Sequence, residues 1–397
     1  MKRLTILLLS ITLWSCQEET NIPETGFFRI YDDVYHEIDY HPIDVTSSET
    51  GYIILTAVEQ DKSSFFGIEL FKVDEEGLFE YKNQSEFTEV LPTGELMTLG
   101  DQHYFFGMDP TTYQVQMISI DDSLNANIYQ VPYTYPLSAK VAGNNFVLLS
   151  YDNLNGESEI AYIDPTDPES VPSQSASYSI GAGADIDGTR LKIISHYYQY
   201  DDRPLPFFCG EINSGQVYFN SFYNHTLSLV ISDFGTAPTA IVYGQSDNAG
   251  IRDLMPITSS SFAMGGYQYT DNFIGANVQI TADTSSVGYY NSLGNLAEFR
   301  AYTPIDIISY NIGGTDYTLI AAETENRQIG IYIFETSGDL VGKHNVGYLN
   351  PYTLATIKAE GDTDNHLLIL GTTYVADRFQ RIYLSRVPEE EVSTWIQ

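Results

Sequence analysis

Apolar and polar positions along the chain repeat as a unit: an apolar strand, a polar loop, a second strand, then an acidic turn closed by glycine. The first copy runs Gly51-Tyr52-Ile53-Ile54-Leu55, then Gly67-Ile68-Glu69-Leu70-Phe71-Lys72-Val73, then Asp74-Glu75-Glu76-Gly77. A late copy runs Tyr317-Thr318-Leu319-Ile320, then Gly330-Ile331-Tyr332-Ile333-Phe334, then Glu335-Thr336-Ser337-Gly338. The last runs His366-Leu367-Leu368-Ile369-Leu370-Gly371, then Arg381-Ile382-Tyr383-Leu384, then Pro388-Glu389-Glu390-Glu391. Weaker copies open near Tyr104, Phe146, Leu191 and Phe262. Continuous apolar runs predict strands buried on both faces, and period-two alternation predicts strands buried on one.

The copies recur every 42 to 55 residues, except for 71 residues between Leu191 and Phe262. All-β units of that length match propeller blades, which stack radially because no blade can bury both of its faces alone. The expectation is a single β-propeller domain over residues 27–397, with seven blades of four antiparallel strands. A pair of β-sandwiches or a β-helix is the competing architecture. The long gap holds an extra strand pair near Leu227–Val230 and Ala240–Tyr243, read as an insertion or an eighth, degenerate blade. Near-continuous runs such as Phe146-Val147-Leu148-Leu149 are expected innermost. Phe27–Val45 is expected to supply the outer strand of the last blade and close the ring. Helix is expected only around Glu389–Trp395.

Composition narrows the function classes. The chain has 397 residues, 53 acidic and 18 basic, for a formal net charge of −35, with 31 Tyr, 20 Phe and 2 Trp. So acidic a chain lacks the basic footprint that phosphate backbones require, so no nucleic-acid partner is expected. Two cysteines make no disulfide framework and no CxxC pair. After residue 16 no apolar run approaches the length of a membrane span.

Lys2 and Arg3, the apolar run Leu4–Trp14 and Ser15-Cys16 read as a secretory leader, residues 1–15, followed by a cysteine at the cut. An ordinary signal peptide with an incidental cysteine is the plain alternative. The arrangement resembles the bacterial lipoprotein signal, with Leu13 and Ser15 fitting the lipobox and Trp14 bulkier than its usual small residue. That resemblance implies lipid attachment at Cys16, a tether over residues 16–26, and a membrane partner reached through the anchor. Gln17-Glu18-Glu19 resembles the short acidic export signal of Bacteroidota surface lipoproteins. The strand signatures at residues 51–77 and 366–387 likewise resemble propeller-like repeats of Bacteroidota outer-membrane lipoproteins. The implied location is the outer membrane, lipid-anchored and facing the cell surface. Cys209, in Pro206-Phe207-Phe208-Cys209, reads as a buried inert thiol.

No motif for chemistry is complete. His36 and His41 stand five apart in a strand-like stretch, where HExxH requires a spacing of four on a helix. Gly181-Ala182-Gly183 lacks a third glycine at Ile186, and Gly244-Gln245-Ser246-Asp247 ends on Asn248 where a nucleophile elbow needs glycine. No residue is therefore assigned a catalytic, cofactor-binding or metal-binding role, and no cofactor is expected. Asp185-Ile186-Asp187-Gly188 and Asp362-Thr363-Asp364 have alternate carboxylates suited to calcium, or to Asx-turns between strands. Tyr197, Tyr198, Tyr200, Asp201 and Asp202 are the candidate ligand or interface residues, because tyrosines beside carboxylates stack on sugar rings or anchor protein interfaces. The expected function is a non-catalytic accessory subunit of an envelope complex, docked on an outer-membrane β-barrel or another envelope protein. The alternatives are surface glycan binding and, further off, a glycosidase or lyase with carboxylates gathered from several blades.

Overall fold

The computed structural model describes residues 26–31, 39–60, 63–83, 86–181, 186–198, 205–281, 283–347, 351–361, 365–374 and 379–397. The leader, Cys16 and His36 lie outside the described residues. So do Tyr200, Asp201, Asp202, Asp185 and Asp362-Thr363-Asp364.

Strand follows strand in short antiparallel meanders. After β1 (Phe27–Tyr31), the first comprises β2 (Tyr40–Ser48), β3 (Gly51–Val58), β4 (Gly67–Asp74) and β5 (Phe79–Lys82). The second comprises β6 (Val90–Leu99), β7 (Gln102–Met108), β8 (Gln114–Ile120) and β9 (Ala126–Thr134). The third comprises β10 (Pro136–Ala142), β11 (Asn145–Asp152), β12 (Glu157–Ile163) and β13 (Ser175–Ser179). Helix α1 (Ile186–Ser195) leads to the fourth, β14 (Phe208–Asn213), β15 (Gln216–Tyr223), β16 (Thr226–Ser232) and β17 (Ala240–Tyr243). The fifth is β18 (Ala249–Pro256), β19 (Ser261–Gln268) and β20 (Asp271–Gln279); β21 (Thr284–Ser285) pairs back onto β17, and α2 (Ser286–Leu293) packs on β18, β19 and β20. The sixth comprises β22 (Ile305–Ile312), β23 (Thr315–Glu323), β24 (Ile329–Glu335) and β25 (Leu340–Val346). The last comprises β26 (Tyr352–Glu360), β27 (His366–Tyr374) and β28 (Gln380–Pro388), before α3 (Glu389–Ser393).

The first strand of each meander lies beside the first strand of the next, from β2 through β6, β10, β14, β18, β22 and β26, and β26 returns to β2. At the periphery β1 completes the last meander by pairing with β28, from Phe27↔Arg386 to Tyr31↔Ile382. The chain is a β-propeller whose final blade is closed by its N-terminal strand.

Side-chain alternation explains the stacking. In β11, Phe146 and Leu148 join Phe106 and Met117 of the second meander, while Val147 and Leu149 join Val217 and Phe219 of the fourth. In β3, Ile54 packs with Leu368 and Leu370, while Ile53 and Leu55 pack with Phe105 and Ile118. Second strands are thus buried on both faces, which is why they read as unbroken apolar runs. The expectation that such runs lie innermost is corrected: β11 is second, and β10, with Ser138 and Lys140, is inner.

Two further expectations change. Leu191-Lys192-Ile193-Ile194-Ser195 is helical, within α1, where Thr189 and Ile193 are buried four apart and Leu191 is exposed. Helices are therefore not confined to the C-terminus. The strands near Leu227 and Ala240 are β16 and β17, the third and fourth strands of an ordinary meander. With β15 and not α1 as the fourth second strand, the long interval falls between Asn145 and Gln216, where the chain carries α1.

Candidate functional site

Charged residues sit on the inner strands, although strand propensity disfavours them there. Among the described residues, inner strands β2, β6, β10, β14, β18 and β26 carry register shifts, those of β2 and β18 just before Asp44 and Asp253. Such bulges bend a strand and re-aim its side chains. Asp44, on β2, accepts from Val45 N at 2.7 Å and from Leu96 N of β6 at 2.6 Å. Asp253, on β18, accepts from Leu254 N and Ile307 N of β22, both at 2.8 Å. Asp306, on β22, accepts from Thr356 Oγ1 at 2.7 Å and Ile357 N of β26 at 2.6 Å. In each case one carboxylate ties a blade to the amide of its successor.

Two lysines balance part of this charge. Lys358 Nζ lies 2.6 Å from Asp44 Oδ2, joining the last blade to the first. Lys140 Nζ lies 2.9 Å from Glu95 Oε1. Burial pushes the Asp44 carboxyl up to about 6 against the pull of Lys358. Burial, then the neighbouring Asp306, pushes Asp253 up to about 7. Burial also pushes Glu95 up, but Lys140 and Lys358 outweigh it and hold the group below the usual range. Glu95 holds Lys140 well above its ordinary value despite burial. A cavity of about 240 Å³ opens here, lined by Glu95, Ser138, Lys140, Cys209, Tyr218 and Asp253. Burial pushes the Cys209 thiol up to about 12, so it is held as a neutral group at neutral pH.

The second assembly is aromatic. Tyr198 is exposed and lies parallel to Phe65, with ring centroids 5.9 Å apart. Tyr113 and Tyr135 form a second parallel pair at 5.0 Å, and Phe65 meets Tyr113 edge-on at 6.3 Å. Tyr197 points inward: it is 1 % exposed and its hydroxyl donates to Tyr135 O at 2.9 Å. These rings come from the β3–β4 and β7–β8 links, the β9–β10 connection and the chain after α1. In an up-and-down meander those connections all emerge at the same end of the barrel of strands. Tyr113 and Tyr135 both have left-handed backbone, φ 62° and 51°. Bulky residues hold that conformation only where surrounding contacts fix it.

The structure therefore separates the adjacent Tyr197 and Tyr198 into a core residue and a surface residue. Sequence reasoning missed Phe65, Tyr113 and Tyr135, which lie on other meanders. It also missed Asp44, Glu95, Lys140, Asp253, Asp306 and Lys358. Their signal was a charge inside an apolar strand, as in Ile43-Asp44-Val45 and Ile305-Asp306-Ile307. His41 is largely buried against Phe66, ring centroids 4.9 Å apart, and burial lowers its pKa. Asp187 begins α1 beside Arg190 at 3.7 Å, so its half of the acidic motif is a helix start and not an Asx-turn.

No protein-family model matches the chain. No curated protein matches it either. Among solved structures, the BP39L lectin from Burkholderia pseudomallei is similar over 86 % of this chain and 97 % of its own, with 8 % identity and a TM-score of 0.50. The β-propeller domain of the Trilobed protease from Pyrococcus furiosus is similar over 87 % and 93 %, with 8 % identity and a TM-score of 0.45. The Dos1 propeller is similar over 92 % and 95 %, with 11 % identity and a TM-score of 0.44. At such identities the likeness concerns the fold alone.

Proposed function

We propose that the chain is a non-catalytic docking subunit, held at the outer membrane through Cys16 and bound to an envelope protein through its aromatic face. The seven meanders are the blades of one rigid ring that presents this face. The observation that carries the reading is the pairing of Phe65 with Tyr198 and of Tyr113 with Tyr135. Loops from three meanders converge there on aromatic groups that leave ring surface in water, and aromatic anchors dominate protein interfaces. The inner-strand carboxylates support the same reading, because Asp44, Asp253 and Asp306 hold neighbouring backbone amides.

A mild-detergent pull-down of the tagged full chain from native membranes tests it. Recovery of an envelope protein, expected to be a β-barrel, at near one-to-one stoichiometry is the expected result. The double variant F65A/Y198A should lower that recovery at least tenfold while keeping a single cooperative thermal melt above the temperature of the experiment. Unchanged recovery with the double variant would overturn the assignment of the face. A second reading, surface glycan binding, draws on the same parallel rings, which suit the faces of sugars. A glycan array probed with the full chain tests that alternative, and an array without signal removes it.

A further inference from the structure

Arg252 is the residue the fold leaves unexplained. It sits on inner strand β18, at the register shift between Ile251 and Asp253. Its neighbour Asp253 turns to the next blade and holds Ile307 N. The Arg252 guanidinium instead lies over the Tyr267 ring, 4.7 Å from its centroid. Among the described residues it makes no hydrogen bond and no ion pair, and its Nε is sealed from solvent without a partner. Several other cations of the chain differ: Lys192 meets Asp247 at 3.0 Å, Arg300 meets Glu323 at 2.8 Å, and Lys140 meets Glu95. Arg29 also has a buried Nε without a partner, but its Nη1 donates to Phe28 O at 3.1 Å, a bond for which Arg252 has no counterpart among the described residues.

Guanidinium carries five donors in a planar fork, and a donor such as this buried Nε is costly to leave without a partner. Burial already holds this group down to about 10. The Tyr267 ring fixes the fork from one side, its own hydroxyl held by Asp247 O at 2.9 Å. Tyr302 stands edge-on to Tyr267 at 6.0 Å and adds a second aromatic wall. Tyr267 ends β19, and Tyr302 lies in the connection entering β22, so both are at the end of the ring that carries the Phe65 and Tyr113 patch.

We infer that Arg252, framed by Tyr267 and Tyr302, is a binding site for the carboxylate of a small organic acid. The planar fork matches the two oxygens of a carboxylate. A body this acidic disfavours a doubly charged phosphate more than a singly charged carboxylate. The flanking rings give the rest of such a ligand, a sugar ring or an apolar group, a surface to lie against. The site draws on β18, β19 and the connection entering β22 and shares no residue with the Phe65 and Tyr198 face, so loss of either assignment leaves the other intact.

Calorimetric titration of the full chain with glucuronate, benzoate, glucose and inorganic phosphate tests the site. Glucuronate or benzoate should bind with a Kd near or below about 1 mM, and whichever binds identifies the acid as sugar-borne or simple. Glucose should not bind, and phosphate should bind at least tenfold more weakly. R252Q should lose the carboxylate at least tenfold, and R252K should keep part of it. The ligand should raise the melting temperature of the native chain and not that of R252Q, which also reports whether the variant folds. Equal binding of glucuronate and glucose, phosphate as tight as the carboxylates, titration unchanged in R252Q, or no binding of either acid overturns the site.

Discussion

Asp253 illustrates what a single buried carboxyl does to this molecule. In water its pKa is 3.8; in the fold burial and Asp306 raise it to about 7. The folded state therefore keeps a proton that the unfolded chain has lost, and unfolding between those values releases it. This group's contribution to stability is full below pH ~4 and disappears as the pH rises through about 7. A protonated carboxyl still has a lone pair on each oxygen, so the bonds from Leu254 N and Ile307 N survive protonation. Asparagine has one acceptor oxygen, so D253N loses one of those bonds at every pH, a constant offset. Melting temperatures from pH 5 to 8 should fall more steeply for the native chain than for D253N. Parallel profiles would show that Asp253 is ionised throughout that range.

At the scale of elements, closure depends on β1. Phe27 is 4 % exposed, its ring centroid 5.9 Å from that of Tyr52, and Tyr31 donates to Gly77 O at 3.0 Å. Gly77 has φ +71°, and a Cβ there would lie 2.5 Å from the Phe27 ring, so the turn after β4 is shaped to receive the closing strand. F27A should destabilise the fold by about 3–5 kcal/mol and speed proteolysis between residues 26 and 40. An unchanged denaturation midpoint would mean that β1 is dispensable. The all-β class and the repeat were legible in the sequence, because strands covered on both faces must be apolar at consecutive positions. Of the expected closing segment Phe27–Val45, only Phe27–Tyr31 pairs with β28, and Tyr40–Val45 belongs to inner strand β2. Inner strands were less legible, since Asp44, Lys140 and Asp253 interrupt their apolar pattern to bond across blades. The α1 segment misled because Leu191-Lys192-Ile193-Ile194-Ser195 is too short to show a period, and burial at Thr189 and Ile193 becomes visible only in the fold. Of the Tyr197–Asp202 motif the structure describes Tyr197 and Tyr198, and of these two only Tyr198 is exposed. The stacking rings Phe65, Tyr113 and Tyr135 come from other meanders, and no local pattern connects residues so distant. Arg252 gave no signal at all, because a missing partner is a property of three dimensions.

For the whole molecule the dominant quantity is a net charge of −35. Like charges crowded onto a folded surface repel, and unfolding relieves that repulsion by spreading them apart. Salt weakens the repulsion: the screening length falls from about 30 Å at 0.01 M to about 8 Å at 0.15 M. It also weakens ion pairs, but an exposed pair such as Arg190 with Asp187 is worth ~0–1 kcal/mol. The Asp44–Lys358 pair, with Asp44 at 2 % exposed, is partly shielded from salt. The long-range repulsive sum therefore outweighs the pairs that salt can reach. The melting temperature of the native chain should rise as sodium chloride is raised from 0.01 to 0.15 M, most steeply above pH 7, where Asp253 and Asp44 add their charges. A melting temperature that falls with salt would mean that attraction within the ring of inner strands exceeds repulsion across the surface. The closed circle from β2 round to β26 would then be held chiefly by its ion pairs and not by the apolar faces of its second strands.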